Sequence, residues 1–258
     1  MPDIVLHNEM GKRVYERLSD DIKTSINIKV YRFGLLVPDY YMSYRFFLPH
    51  FRNGINKRGA VMHEEKCKEF LVEFAKNSKN KEAFSLLCGI LCHFTLDSIL
   101  HPWINKLAGG KVGVHEAIEH TLDMIELQRK NLGIEHLSNY YIPYYESKEL
   151  EKTMQTVYGW GNDYLKAAFN HQKLYYRICS DRFGLLNFLF GRIGGKYSSI
   201  SYRNNKCSDI DFECFESLIE ESIVLAMDMI NAAYAFKNGA IKEDDFSLII
   251  GNRTYLGL

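Results

Sequence analysis

Residues 87–104 read Leu-Cys-Gly-Ile-Leu-Cys-His-Phe-Thr-Leu-Asp-Ser-Ile-Leu-His-Pro-Trp-Ile, apolar almost all round, the pattern of a helix buried on most sides. His93, Asp97 and His101 interrupt it at steps of four. At roughly 100° per residue these positions stack on one face over successive turns, so a greasy helix carries a polar stripe. Continued backwards, the stripe meets Gly89 and Ser85, small residues that let a neighbouring helix approach closely.

The remaining pattern is helical too. Met10, Val14, Leu18 and Ile22 give residues 8–22 one apolar face, with His7 just ahead of the first turn. The chain turns at Val37-Pro38, which sets Asp39 at a helix N-terminus. Residues 40–51 are rich in aromatics; Asn53, Gly54, Asn56 and Gly59 mark a loop, and His63 begins a helix to about Asn77. Gly109, Gly110 and Gly113 form a second loop before a helix to about Asn131, whose first turns carry His115 and Glu119 four apart. Ser147 is an N-cap for a long helical region interrupted at Gly159 and Gly161. Ser208 with Asp211 opens the last long helix, residues 212–236, which stops at Gly239. Residues 241–258 carry no readable pattern. With no internal repeat and few period-two stretches, the expectation is an all-α, single-domain bundle.

A carboxylate held among histidines in an apolar interior needs a counter-charge or a shifted pKa. A divalent cation satisfies Asp97 in one way. In the other, His93 and Asp97 bond to each other and His101 caps a helix that Pro102 ends. The wider inventory favours metal: His7, Asp39, His63, His93, Asp97, His101, His115 and Glu119 are all nitrogen or oxygen donors of the kind zinc accepts. Eight are too many for one tetrahedral ion. They suggest two or three clustered zinc ions, with Asp97 as the bridging carboxylate.

Composition narrows the function classes. At 258 residues and 47% hydrophobic the chain can bury a substantial core, and 32 basic residues balance 32 acidic ones. That balance provides no general field for nucleic acid or anionic lipid. Residues 182–206 hold five basic side chains (Arg182, Arg192, Lys196, Arg203, Lys206) and no acidic one, read as a solvated loop. The six cysteines are scattered and read as reduced core residues; Cys88 and Cys92, a turn apart, are read as packing. The first residues lack the basic start, apolar core and cleavage site of a secretory signal, and His93, Asp97 and His101 break the longest apolar run. The expected location is the cytoplasm.

The pieces Met1-Pro-Asp-Ile-Val-Leu-His7, Phe33-Gly-Leu-Leu-Val-Pro-Asp39-Tyr-Tyr, Met62-His63-Glu-Glu, Cys92-His93-Phe-Thr-Leu-Asp97-Ser-Ile-Leu-His101-Pro and His115-Glu-Ala-Ile-Glu119 occur in order over the first half of the chain. Together they resemble the zinc-dependent phospholipase C family, related to bacterial phosphatidylcholine-hydrolysing phospholipase C and the single-strand-specific zinc nucleases. The resemblance implies the helical bundle of that type. It implies one zinc on Asp39, His63, His93 and Asp97, and a second on His101, His115 and Glu119. Asp97 would bridge to a third held also by His7 and, in secreted relatives, by an N-terminal tryptophan. This chain has no tryptophan there, and its spacing from Asp97 to His101 is shorter than in the secreted enzymes.

Such a centre supports phosphodiester hydrolysis, with Asp39 orienting or deprotonating the attacking water. The expected substrate is a phospholipid or small phosphodiester, the former met by peripheral contact with a membrane. The alternatives are a single-strand nuclease, disfavoured by neutral charge, and a non-catalytic metal-stabilised helical protein. Tyr40, Tyr41, Tyr44, Phe46 and Phe47 are read as core rather than as a cage for a choline-like headgroup.

Overall fold

A computed structural model describes residues 4–45, 54, 63–65, 67–111, 113–159, 162–181, 183–190, 201–202 and 210–257. The described residues form helices α1 (Ile4–Arg17), α2 (Asp20–Thr24), α3 (Ile28–Gly34), α4 (Val37–Tyr40), α5 (Lys68–Asn77), α6 (Lys81–Ala108) and α7 (Val114–Arg129). A 3₁₀ turn, Ile134–Tyr140, leads to α8 (Lys148–Tyr158), α9 (Asn162–Cys179), α10 (Leu185–Phe190), α11 (Phe212–Lys237) and α12 (Glu243–Ile250). No strand occurs among them. The fold is all-α, as the patterning predicts.

The axis of the fold is α6. Asn80 caps its start by accepting the Ala83 N–H at 2.8 Å, and Gly109, left-handed at φ 57, closes its end onto the Asn105 carbonyl. By composition and length α6 is the one described helix that would cross a membrane, and here its apolar window is wholly buried. Helices α1, α3, α5, α7, α8 and α11 enclose it. Trp103 stacks on Phe215 and Phe84 packs against Tyr234 along the α11 side.

At Gly89, α3 crosses α6 at backbone contact. A Cβ on Gly89 would fall 2.2 Å from the Tyr31 carbonyl and 2.8 Å from Gly34 Cα. One turn earlier, Ser85 Oγ accepts the Asn27 N–H at 2.7 Å. The small residues of the stripe therefore bring α3 against α6, and this aims the α3–α4 junction at His93.

Several boundaries differ from the sequence pattern, for physical reasons. α1 starts at Ile4, placing His7 inside the helix, because Asp123 of α7 accepts the N–H groups of Val5 (3.0 Å) and Leu6 (2.8 Å). It ends at Arg17, where Ser19 becomes extended. His63 lies in helical backbone separate from α5, since the Cys67 N–H that would continue the helix is donated to the Arg253 carbonyl at 3.1 Å. Pro102 does not end α6, which runs on to Ala108. Asp211 caps α11 through the Cys214 N–H, while Ser208 lies outside the described residues. The unread end of the chain forms α12 and then returns to α6.

Candidate metal centre

Each donor arrives from an element whose local chemistry fixes it. Asp39 stands in the first turn of α4, which Pro38 opens. His93, Asp97 and His101 follow one another up α6, and His115 and Glu119 occupy the first turns of α7 behind left-handed Gly113. His7, Asp39, His63, His93, Asp97, His101 and Glu119 are all buried, and His115 is half-buried.

They converge as two groups. In the first, Asp39 Oδ1 lies 3.2 Å from His93 Nε2 and 3.5 Å from His63 Nε2, and His93 Nε2 lies 3.2 Å from Asp97 Oδ2. In the second, Glu119 Oε1 is 3.6 Å from His101 Nε2 and 2.8 Å from His115 Nε2. Asp97 faces both ways, because its other oxygen, Oδ1, lies 3.4 Å from His7 Nε2. His7 thus reaches Asp97 without joining either group of three or more donors.

The ring protons show what these atoms are for. His93 Nδ1 sits 2.7 Å from the Leu35 carbonyl and His101 Nδ1 sits 2.8 Å from the Tyr255 carbonyl. A carbonyl only accepts, so both Nδ1 atoms carry protons and donate them, which leaves Nε2 bare in the neutral ring. Each bare nitrogen faces carboxylate oxygens, and lone pairs facing one another in a dry interior repel. His7 Nε2, Asp39 Oδ1, His93 Nε2, both Asp97 oxygens and His101 Nε2 make no hydrogen bond. A tetrahedral zinc with ligands at about 2.0–2.2 Å holds its donor atoms about 3.3–3.6 Å apart. Three pairs of the first group, 3.2–3.5 Å apart, come close to that spacing. In the second, Asn105 Oδ1 at 2.9 Å accepts the proton of His115 Nδ1, turning its Nε2 toward Glu119 as a further donor atom. The residues present therefore fit zinc.

The electrostatics agree. Burial alone would raise the Asp39 and Asp97 carboxyls, but the facing histidines outweigh it and hold both below the usual carboxylate range. Burial would lower His93, yet Asp39 and Asp97 drive it up to about 10. For His101 and His115 burial wins: it pushes His101 down to about 4 and His115 to about 3, so both rings are neutral at neutral pH.

Other side chains singled out in the sequence find ordinary roles. Cys88 and Cys92 are buried, and Cys92 Sγ meets the Tyr31 hydroxyl at 3.1 Å. Tyr40 and Tyr41 are core residues, Tyr44 packs edge-on against Tyr164, and Phe46 and Phe47 lie outside the described residues. So do His50 and the five basic side chains of residues 182–206. His171 accepts the Arg45 N–H, His136 sits beside Glu135, and His120 is buried with its ring 3.9 Å from that of Tyr202. The sequence pattern did not single out the groups that hold the donors: the Leu35 and Tyr255 carbonyls, Asn105 and Asp123. Asn105 and Asp123 stand four residues beyond His101 and Glu119, on the same two stripes.

No curated protein and no solved structure matches the chain. The family model for zinc dependent phospholipase C matches residues 6–171, a span that contains all eight donors. With most of its length matched and its buried donors gathered along one helix, the chain belongs to the zinc dependent phospholipase C family.

Proposed function

We propose that the protein is a zinc-dependent phosphodiesterase that cleaves a phospholipid or a small phosphodiester. The observation carrying this reading is the set of histidine Nε2 atoms and carboxylate oxygens turned toward one another at 3.2–3.5 Å in a buried site, the spacing of ligands around a shared cation. Asp39, His63, His93 and Asp97 would hold one zinc, and His101, His115 and Glu119 would hold a second. Asp97, aimed at His93 with one oxygen and at His7 with the other, is suited to share a cation on each side.

Zinc supplies Lewis acidity there, making water a nucleophile near neutral pH and offsetting the charge of a phosphoryl group. The chain's own residues do the rest. The Leu35 and Tyr255 carbonyls keep His93 and His101 in the tautomer that presents Nε2. Asp39, with Oδ1 turned toward His63 and His93 in the first group, would use its second oxygen to orient the attacking water and take its proton. With a phospholipid, the protein works at the membrane surface and diacylglycerol is the leaving group.

The test is metal analysis of the purified protein followed by a substrate panel with and without chelator. The panel holds nitrophenyl-phosphocholine, phosphatidylcholine in mixed micelles, and single-stranded DNA and RNA. We expect at least two zinc ions per chain and chelator-sensitive cleavage of the phosphocholine esters. Cleavage of nucleic acid alone would make the protein a nuclease. Zinc without any cleavage would make the metal structural.

A further inference from the structure

Tyr255 touches both donor groups. Its carbonyl oxygen accepts from His101 Nδ1, while its ring lies 4.5 Å from that of His63 and 5.7 Å from that of His93, with Phe94 at 5.1 Å. The residue is 1% exposed. It arrives from far outside the family match, which ends at residue 171.

The segment carrying it is tied down at both ends. The Arg253 carbonyl accepts the Cys67 N–H just ahead of α5, and the Thr254 carbonyl accepts the Gly257 N–H at 3.1 Å, closing a tight turn around Tyr255. Gly257 then rests on α6 beside Pro102. Having no N–H, Pro102 leaves the Ser98 carbonyl without its helical partner. Gly257, at φ 74, comes so close that a Cβ there would fall 2.4 Å from that oxygen and 2.5 Å from Pro102 Cγ. The proline in α6 and the glycine in the returning segment are complementary shapes.

We propose that Tyr255 is a positioning residue of the metal centre, and that residues 251–257 complete both zinc sites. The carbonyl fixes the tautomer and orientation of His101; the ring walls His63 and His93 away from water. This rests on the zinc reading above. Losing the hydrogen bond behind a ligating histidine typically costs about 10–100-fold in metal affinity.

The experiment compares zinc content and zinc affinity, by competition with a chromophoric chelator, in four forms: the full chain, a chain stopped at Gly251, Tyr255→Phe and Tyr255→Ala. Tyr255→Phe keeps ring and carbonyl and binds as the wild type does. Tyr255→Ala keeps the carbonyl, loses the wall and binds zinc more weakly. The shortened chain loses about 10–100-fold in affinity for the ion of the His101 group, holds the other as weakly as Tyr255→Ala does, and a peptide of residues 252–258 added in trans restores both. Should the shortened chain lose its helical circular dichroism, full-length Gly257→Val, which lifts the segment off Ser98 and Pro102, replaces it with the same expected loss. A wild type that takes up no zinc overturns both readings. A loaded wild type whose shortened or Gly257→Val form binds zinc equally tightly overturns this one alone.

Discussion

His7 lies flat on His93, ring centroids 3.9 Å apart and planes 1° from parallel. Two imidazoles so stacked do not both carry charge. Burial, reinforced by the charge on His93, keeps His7 below its ordinary value, while His93 is raised to about 10 between Asp39 and Asp97. One proton on His93 therefore offsets part of the charge of the two carboxylates when no metal does, and zinc uptake at neutral pH would displace it.

A pH signature follows from the second group. His101 and His115 stay neutral until about pH 4 and about pH 3, whereas unfolded histidines take up protons near 6.5. The unfolded chain binds more protons in this window, so stability falls as the pH drops from 6.5 toward 4. His93 has the opposite sign: its contribution is full below 6.5 and is lost as the pH rises through about 10. In chelated protein the urea midpoint should decline from pH 6.5 to 4.5, and His101→Gln should flatten that decline. A midpoint independent of pH in both forms would remove the buried neutral histidines from the account.

Asp97→Asn keeps the side chain's shape and removes the charge that lets cations sit on both sides of it. Zinc content should fall by at least one ion per chain, and turnover of nitrophenyl-phosphocholine should nearly vanish. His120→Ala, which removes a buried ring packed on Tyr202, should cost roughly 1–3 kcal/mol of stability yet leave zinc content unchanged. Full metal and wild-type turnover in Asp97→Asn would exclude the bridging role.

Gly89→Ala tests the helix crossing behind His93. Its methyl would meet the Tyr31 and Gly34 backbones, which have no side chain to swing aside. The expected cost is about 3 kcal/mol, the upper end for overpacking. Because α3 leads into the Leu35 carbonyl, zinc affinity should fall with stability. Denaturant melts and chelator competition on the same sample check both.

Asp123→Ala removes the acceptor for the Val5 and Leu6 N–H groups at the start of α1. Losing hydrogen bonds to a buried carboxylate should cost roughly 2–3 kcal/mol. Only His7 rides on that helix, so an ion held on the His7 side of Asp97 should leave while the other two groups keep theirs. Loss of every ion at once would show that α1 braces the whole centre.

The placement of five of these side chains was legible because helices turn spacing into position. His93, Asp97 and His101, or His115 and Glu119, share a face by counting fours, and Gly89 with Ser85 announced the close helix on the same stripe. What escaped was carried by the backbone. The Leu35 and Tyr255 carbonyls have no residue-type signature, and α12, at two turns, is too short for its period to stand out. The start of α1 was misplaced for a related reason: its cap, Asp123, lies more than a hundred residues away, and local capping rules look only at neighbours.

Because each donor group takes a member from the same unbroken helix, α6 acts as a ruler. Asp97 and His101 are four residues apart, about 6 Å along the axis, a separation set by helical rise rather than by any loop. Adding one residue between them would swing His101 by about 100° off the shared face. Variation in length must therefore fall outside residues 93–101, and the distance between the two groups can change only in whole turns of α6.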